Sequence, residues 1–353
     1  MTTSPNAFET LSLEISELID RLPTLEHWKW IGRSLSSLVQ IASKDTDRLD
    51  WKILSYALQD MERGLEMFHA YRHVRKVSIF GSARTPCDRP EYQMAREFAR
   101  RLVDYGFMVI TGAGGGIMQA GNEGASADKS FGLNIQLPFE QESNPYIAGD
   151  PKLIDFKYFF TRKLFFLKES DAIALFPGGF GTMDEAFETI TLSQTGKYGP
   201  APLVLIDRPG GDYWYGWQDY LKNCLLKNET ISEEDLSLYS IVDDVEDACN
   251  TIRNFYRVYH SSRYVEDRFV IRLKCPLPEM TIEQLNDEFS DILKKGRIES
   301  SSALPKEIGD ETESLPRLVM YFNQHNFGRL HQMIWRLNEL GCHTLEADHP
   351  EQK

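Results

Sequence analysis

Cysteine is scarce in this chain of 353 residues, and the five present follow no pairing pattern. Cys87, Cys224, Cys249, Cys275 and Cys342 are scattered, odd in number and form no CxxC pair. Neither a disulfide framework nor a zinc site is expected, and a reducing cytoplasm is the expected setting. Long apolar runs are also missing. None approaches the ~20 residues that span a bilayer, and the opening Met-Thr-Thr-Ser-Pro-Asn lacks the basic-then-apolar layout of a signal peptide. Positive charge is in short supply: 39 Lys and Arg against 53 Asp and Glu leave a net charge of −14. That balance argues against nucleic acid or a membrane surface as partner. No HExxH, GxSxG or Cys/His nucleophile arrangement occurs. What remains, 42% hydrophobic and 26% charged, has the composition of an ordinary soluble protein, long enough for more than one domain.

Three regions follow from the pattern. Residues 1–75 read as a helical extension. Leu11, Ile15, Leu18, Ile19 and Leu22 recur at helical spacing until Pro23, and further helical segments run from about Trp28 to Ala42 and from about Trp51 to Tyr71. From Lys76 to about residue 260, short β-type runs alternate with amphipathic helices. The expected strands are Lys76–Phe80, Phe107–Ile110, Phe131–Leu137, Asp171–Phe176, Pro202–Ile206 and Tyr239–Val242, and the last helix is expected from Val245 to Tyr259. Apolar strands alternating with helices predict an α/β fold with a doubly wound parallel sheet covered on both faces. Residues 261–353 read as a small α+β module, with strands at 268–273 and 318–322, helices at 281–293 and 328–340, a flexible link over 296–315 and a polar, frayed tail from His343.

All three glycine-rich turns fall at carboxyl ends of expected strands, where open α/β sheets bind ligands. The most telling is Pro177-Gly-Gly-Phe-Gly-Thr-Met-Asp-Glu185. An apolar strand stops at Pro177. Gly178, Gly179 and Gly181 follow, then Thr182 as the expected N-cap of a helix. Such a turn aims backbone N–H groups at one spot and binds anions, phosphate above all. Asp184 and Glu185 are expected on the first helical turn beside that spot. Acids there offset the helix dipole by roughly 0.3–1 kcal/mol, which accounts for many such residues. Beside a phosphate, however, a carboxylate repels the ligand unless it faces another part of it, such as a ribose. The second turn, Thr111-Gly-Ala-Gly-Gly-Gly116, holds four glycines in five positions, each weakening a regular element by roughly 0.5–1 kcal/mol. Close approach of backbone to ligand explains Gly114, Gly115 and Gly116 better than helix-on-strand packing, which needs about one glycine. The order of glycines matches neither the dinucleotide fingerprint nor a P-loop. The first turn, Phe80-Gly-Ser-Ala-Arg84, offers Gly81, the Ser82 hydroxyl and the Arg84 charge, although a plain βα turn reads the same way.

Arg162 and Lys163 lie on an expected helix just before the 171–176 strand. Arg162 can orient a carboxylate or clamp a phosphate, though taken alone the pair reads as a solvated basic face. His69 and His73 stand four apart, but Arg72, Arg75 and Lys76 surround them and disfavour a cation, so no metal site is expected. The six tryptophans read as packing residues.

Taken together, these residues identify a family resemblance. Pro177–Glu185 is similar to the PGGxGTxxE motif of the Lonely Guy family, the cytokinin-activating phosphoribohydrolases. Arg162-Lys163 falls where that family carries its Arg-Lys pair, and Gly81-Ser82 and Thr111–Met118 resemble its other nucleotide-binding turns. The likeness covers about residues 75–260. It implies a Rossmann-like fold and a homodimer or higher homo-oligomer. It implies hydrolysis of a nucleoside 5′-monophosphate, AMP-like or a cytokinin riboside monophosphate, to free base and ribose 5-phosphate without metal or redox cofactor. By the same resemblance Glu185 and Arg162 are catalytic, while Gly81, Ser82, Gly114, Gly115, Gly116, Lys163, Gly178, Gly179, Gly181, Thr182 and Asp184 bind substrate. The chain departs from the pattern at Asp184, where Glu is common, and at Tyr158-Phe-Phe-Thr161, where Met-His-Glu is usual. Its longer build is more like bacterial nucleotide nucleosidases. The alternative is a non-catalytic nucleotide or molybdenum-cofactor carrier or sensor on the same fold, which has no need of both Arg162 and Glu185. A pyridoxal-phosphate decarboxylase would need a Schiff-base lysine site, and the sequence offers none.

Overall fold

The computed structural model describes residues 5–137 and 142–347. Residues 138–141 and the last residues of the polar tail lie outside the described residues. The chain divides into two compact units, 1–61 and 62–353.

In the first unit, α1 (Pro5–Arg21) ends where Pro23 opens a short 3₁₀ turn, and α2 (Trp28–Ala42) follows. The two helices pack closely at Gly32, where a Cβ would touch Ile19. Helix α3 (Arg48–His69) runs across the division between the units.

The second unit begins with the end of α3 and continues as β1 (Lys76–Phe80), α4 (Pro90–Asp104), β2 (Met108–Thr111), α5 (Ile117–Ala125), β3 (Ser130–Ile135), β4 (Leu153–Phe156), α6 (Phe159–Lys168), β5 (Ala172–Leu175), α7 (Phe180–Gln194), β6 (Leu203–Ile206), α8 (Tyr213–Tyr220), β7 (Ser240–Val242) and α9 (Val245–Phe255). The strands form one parallel sheet in the order β4-β3-β2-β1-β5-β6-β7. The fold is therefore α/β and Rossmann-like. Strands β1, β2, β3, β5 and β6 are buried along their whole length, as expected of a sheet with helices on both faces. Residues of α4, α5 and α9 form one core with β1, β2, β5 and β6. Separately, Phe68 and Phe165 stack near Phe131.

The order of strands reverses at β1. Chain order runs outward to β4 on one side, then returns to start again at β5 on the other. Loops leaving β1 and β5 therefore diverge, and a crevice opens between them. That crevice receives the Gly81-Ser82 turn and the Pro177–Thr182 turn.

Beyond α9, the chain forms a four-stranded antiparallel sheet in the order β10-β11-β9-β8 from β8 (Tyr259–Val265), β9 (Arg268–Leu273), β10 (Leu293–Ser301) and β11 (Arg317–Phe322), with α10 (Glu279–Phe289) and α11 (Phe327–Ala347). Three sequence readings are corrected here. Helix α9 stops at Phe255, and β8 occupies a stretch that shows little period-2 apolar alternation. Strand β4 is too short and too polar on one face to stand out. Residues 296–315 are not a flexible link. They begin with β10, and the rest is tied down by Glu307, which is fully buried and accepts from Arg272 Nη2 (2.7 Å) and Arg317 Nε (2.9 Å). The acids and serines there look solvated in sequence because their arginine partners lie elsewhere in the chain.

Candidate active site

A cleft of about 720 Å³ opens at the crevice between β1 and β5. Its walls are Gly81, Ser82 and Arg84 after β1, Gly178 to Glu185 after β5, and Arg162 and Phe159 of α6. Nine of the thirteen sequence candidates line it: Gly81, Ser82, Arg162, Gly178, Gly179, Gly181, Thr182, Asp184 and Glu185. Gly114, Gly115, Gly116 and Lys163 stand behind the wall.

The turns touch one another, which accounts for much of their glycine. Gly116 has φ +61°, and a Cβ there would lie 2.2 Å from the Ser82 carbonyl oxygen. The Ile117 N–H donates to that same Ser82 oxygen (3.1 Å), and the Ser82 N–H donates to the Pro177 oxygen (3.1 Å). A Cβ on Gly178 would collide with Thr182 Oγ1 at 2.1 Å. By contrast, nothing stands within 4 Å of where a side chain would sit at Gly179 or Gly181. The backbone there is open.

Helix α7 starts at Phe180, two residues before the expected N-cap. Gly179 takes the N-cap position, and no side-chain cap bond is made. Thr182 is turned inward against Gly178, so it cannot cap. Asp184 and Glu185 consequently lie past the first turn. The first N–H groups of α7 have no acceptor within the helix, and the residues that carry them line the cleft, where a helix start of this kind can take an anion.

Glu185 is buried, at 6% exposure, whereas Asp184 is exposed. Burial raises the Glu185 carboxyl to about 7, against the opposing charges of Lys163 and Arg162, with Glu188 and Asp184 adding to the rise. Lys163 Nζ sits 3.8 Å from Glu185 Oε1, 2.9 Å from Asp184 Oδ2, and bonds Glu188. These acids outweigh its own burial and raise its pKa. A Schiff-base lysine needs the opposite shift.

Arg162 makes no direct ion pair with Glu185 among the described residues. Its guanidinium lies over the rings of Phe159 and Phe166, at 5.5 and 5.3 Å. Its Nη2 reaches the second glycine turn, 3.5 Å from where a Cβ on Gly112 would be. Burial lowers its pKa and the charge of Glu185 raises it, the first effect prevailing. Arg162 Nε is buried with no hydrogen-bond partner. An unpaired buried N–H costs ~1–3 kcal/mol, and an acceptor entering the cleft would relieve it.

Sequence reading passed over the residues that hold the turns. Thr111 Oγ1 donates to Asn122 Oδ1 (2.7 Å) and accepts from the Ala113 N–H (3.0 Å). Asn144 Nδ2 donates to Asn122 Oδ1 (2.9 Å) and to the Gly114 oxygen (3.1 Å). This buried network sets the second turn, in which Ala113 itself has φ +60°. An asparagine on the small-residue face of α5 was its one sequence signal. The Tyr213 hydroxyl brackets Gly178, donating to its oxygen and accepting from its N–H (3.3 Å). Nothing near Tyr213 in sequence announces that contact.

Residues 116–252 match a family model described as "Possible lysine decarboxylase". Over 177 residues the chain is 27% identical to the cytokinin riboside 5′-monophosphate phosphoribohydrolase of Mycobacterium tuberculosis, covering 49% of this chain and 90% of that one. Among solved structures, the molybdenum cofactor carrier protein of Chlamydomonas reinhardtii aligns over 51% of this chain and 97% of its own, at 17% identity and a TM-score of 0.36. The molybdenum cofactor binding protein of Rippkaea orientalis aligns over 50% and 93%, at 16% identity and a TM-score of 0.35. No helix among the described residues is long and apolar enough to cross a membrane. The family match over residues 116–252, the likeness to the mycobacterial protein and a cleft assembled from the glycine turns all fall on the central α/β domain, which is the part of the chain that resembles the Lonely Guy family.

Proposed function

We propose that the protein hydrolyses the N-glycosidic bond of a nucleoside 5′-monophosphate, releasing free base and ribose 5-phosphate. The observation that carries this reading is the pairing of a buried carboxylate, Glu185, with the orphaned Arg162 Nε in a cleft floored by an anion-binding turn. A site built only to hold a phosphate gains nothing from burying an acid beside it.

In this reading the 5′-phosphate rests on the open N–H groups of the Gly179–Thr182 turn, with Ser82 beside it. Arg162 donates to a phosphate or ribose oxygen. Phe159 and Phe180, exposed at 54% and 97%, offer apolar faces to the base. Glu185 then faces the ribose. As the C1′–N bond breaks, positive charge builds on the sugar, and a carboxylate close to it in a water-poor cleft stabilises that charge. Water attacks C1′ and forms the new C–O bond, and its proton passes to Glu185. The bond pair leaves with the base nitrogen, which takes up a proton. A carboxyl titrating near 7 suits both accepting and returning that proton at neutral pH.

The test is a panel of purine, pyrimidine and cytokinin riboside 5′-monophosphates with purified protein and a chelator, released bases being read by chromatography. Equimolar free base and ribose 5-phosphate are expected from at least one of them. Glu185→Gln is expected to slow release by about 10²–10³-fold with the fold intact. Near wild-type release by that variant would sink the mechanism. Stoichiometric binding with no release by the wild type would favour a carrier or sensor.

A further inference from the structure

A second cleft, of about 830 Å³, lies at the opposite end of the parallel sheet. It opens where Arg75 leads into β1 and Gly106-Phe107 lead into β2, so it faces away from the Glu185 cleft at the strands' carboxyl ends. Arg75, Arg253, Arg257, Lys274 and His73 line it, and no Asp or Glu does. In a chain of net charge −14, five basic side chains without an acid in the lining are a local inversion of the overall field.

The bland account, basic residues offsetting the dipole at the end of α9, covers Arg253 and Arg257. It does not cover Arg75 from the start of β1 or Lys274 from the end of β9, which the fold brings to the same place. The cations are also pre-positioned. The Arg253 guanidinium lies 4.1 Å from the Tyr105 ring centroid, and that of Arg75 lies 3.7 Å from the Tyr256 centroid. Arg75 is held by Asp171 Oδ1 (3.0 Å) and the His260 oxygen (3.0 Å), so it supplies fixed field. Among the described residues Arg253 makes one long hydrogen bond, to Asn250 Oδ1 (3.3 Å). Lys274 has no carboxylate partner among the described residues, and burial and Arg75 both push its ammonium pKa down. His73 has Glu311 at 3.5 Å. Cations brought together from separate segments repel one another unless an anion joins them.

We propose that this cleft is a binding site for a small polyanion carrying two or more linked phosphate groups. A single phosphate would neutralise one of the cations that line a cavity this large, whereas a linked polyphosphate reaches Arg253 and Lys274 together through charge-assisted bonds.

The probe is inorganic tripolyphosphate, followed by titration calorimetry at low and moderate salt. The wild type is expected to bind it, more weakly as salt rises. The Arg253→Gln/Lys274→Gln double variant, at two exposed positions, is expected to lose about tenfold per cation–phosphate bond removed. Arg162→Gln, which removes a proposed phosphate contact in the other cleft, is expected to leave unchanged the binding that depends on Arg253 and Lys274. Independently of any variant, tripolyphosphate is expected to slow acylation of Lys274 in the wild-type protein by an amine-directed reagent. Absence of binding by the wild type overturns the proposal. So does binding that Arg162→Gln abolishes, or Lys274 labelling at the same rate with and without tripolyphosphate.

Discussion

Two buried glutamates, Glu185 in the cleft and Glu307 in the C-terminal module, behave in opposite ways. Both are withdrawn from water, at 6% and 0% exposure. At Glu307 burial pushes the carboxyl up, but the Arg272 hydrogen bonds, the Leu304 N–H and the charges of Arg317 and Arg272 more than reverse it, and its pKa falls below the ordinary value. Its oxygens are satisfied by Arg272 at 2.7 and 3.1 Å, Arg317 at 2.9 Å and Leu304 N–H at 3.3 Å. At Glu185 the nearest cation is Lys163 at 3.8 Å, itself shared with Asp184 and Glu188, and burial wins. Withdrawal from water thus leaves a carboxyl below its ordinary pKa where arginines close around it, and above it where the ring of partners is left open toward a cleft.

The largest expected effect breaks the structural member of the pair. Glu307→Gln would leave the fully buried Arg317 without its counter-charge and Arg272 with only the more distant Asp310 at 3.7 Å. Removing one partner of a buried ion pair costs ~3–5 kcal/mol, read as a lowered denaturant midpoint. Arg317 also donates to the Glu313 (3.1 Å) and Thr312 (2.9 Å) oxygens, so the 302–316 segment should become protease-sensitive first. If the variant kept wild-type stability, Glu307 would not be the clasp described here, and the contrast with Glu185 would fail.

Glu185→Gln should act in the other direction on stability. The folded carboxyl titrates at about 7 against an ordinary 4.5, so between those values the native state holds a proton that the unfolded chain has released. Wild-type stability therefore falls as pH rises through this window, and the full penalty is present above about 7. The variant carries no such charge. It is expected to gain up to ~3 kcal/mol over wild type at pH 8 and almost nothing at pH 4.5, measured as the difference in melting or denaturant midpoints at the two values. An activity that needs the ionised carboxylate would also rise with pH through 7 in kcat/KM. A gain independent of pH would mean that the carboxylate's burial is not its source.

Much of this was legible in the chain. The alternation from Lys76 onward carried the parallel sheet because strands such as β5 and β6 are buried on both faces and read as unbroken apolar runs. The cleft's glycines were legible because a turn without side chains has few other uses. Contacts between distant segments left weaker marks. Glu307 looked like one more acid in a solvated stretch, since Arg272 and Arg317 lie 35 and 10 residues away. Lys163 was legible only through its match to a motif, and its place 2.9 Å from Asp184 Oδ2 and 3.8 Å from Glu185 Oε1 left no mark in the sequence. Thr182 had the chemistry of an N-cap, yet the close contact with Gly178 turned its hydroxyl inward.

The smallest effect tests whether the open side of the Glu185 site is held open by neighbours. Tyr213 comes from α8, and its hydroxyl bonds both the N–H and the oxygen of Gly178. Its own backbone N–H is fixed by the buried Asp207 at 3.0 Å, so the ring is aimed before any ligand arrives. Tyr213→Phe keeps the ring and removes only the hydroxyl. A net hydrogen bond is worth ~0.5–1.5 kcal/mol, so a stability loss of about 1 kcal/mol is expected. The Gly178 turn precedes the N–H groups proposed to hold phosphate, and slackening it should weaken substrate binding more than it slows the bond-breaking step. The expected signature is a raised KM with kcat within a few-fold of wild type, the reverse of Glu185→Gln, which should lower kcat with KM little changed. If Tyr213→Phe lowered kcat as much as Glu185→Gln did, the turn and the carboxylate would be acting as one unit, and the division between a phosphate cradle and a separate reactive acid would have to be given up.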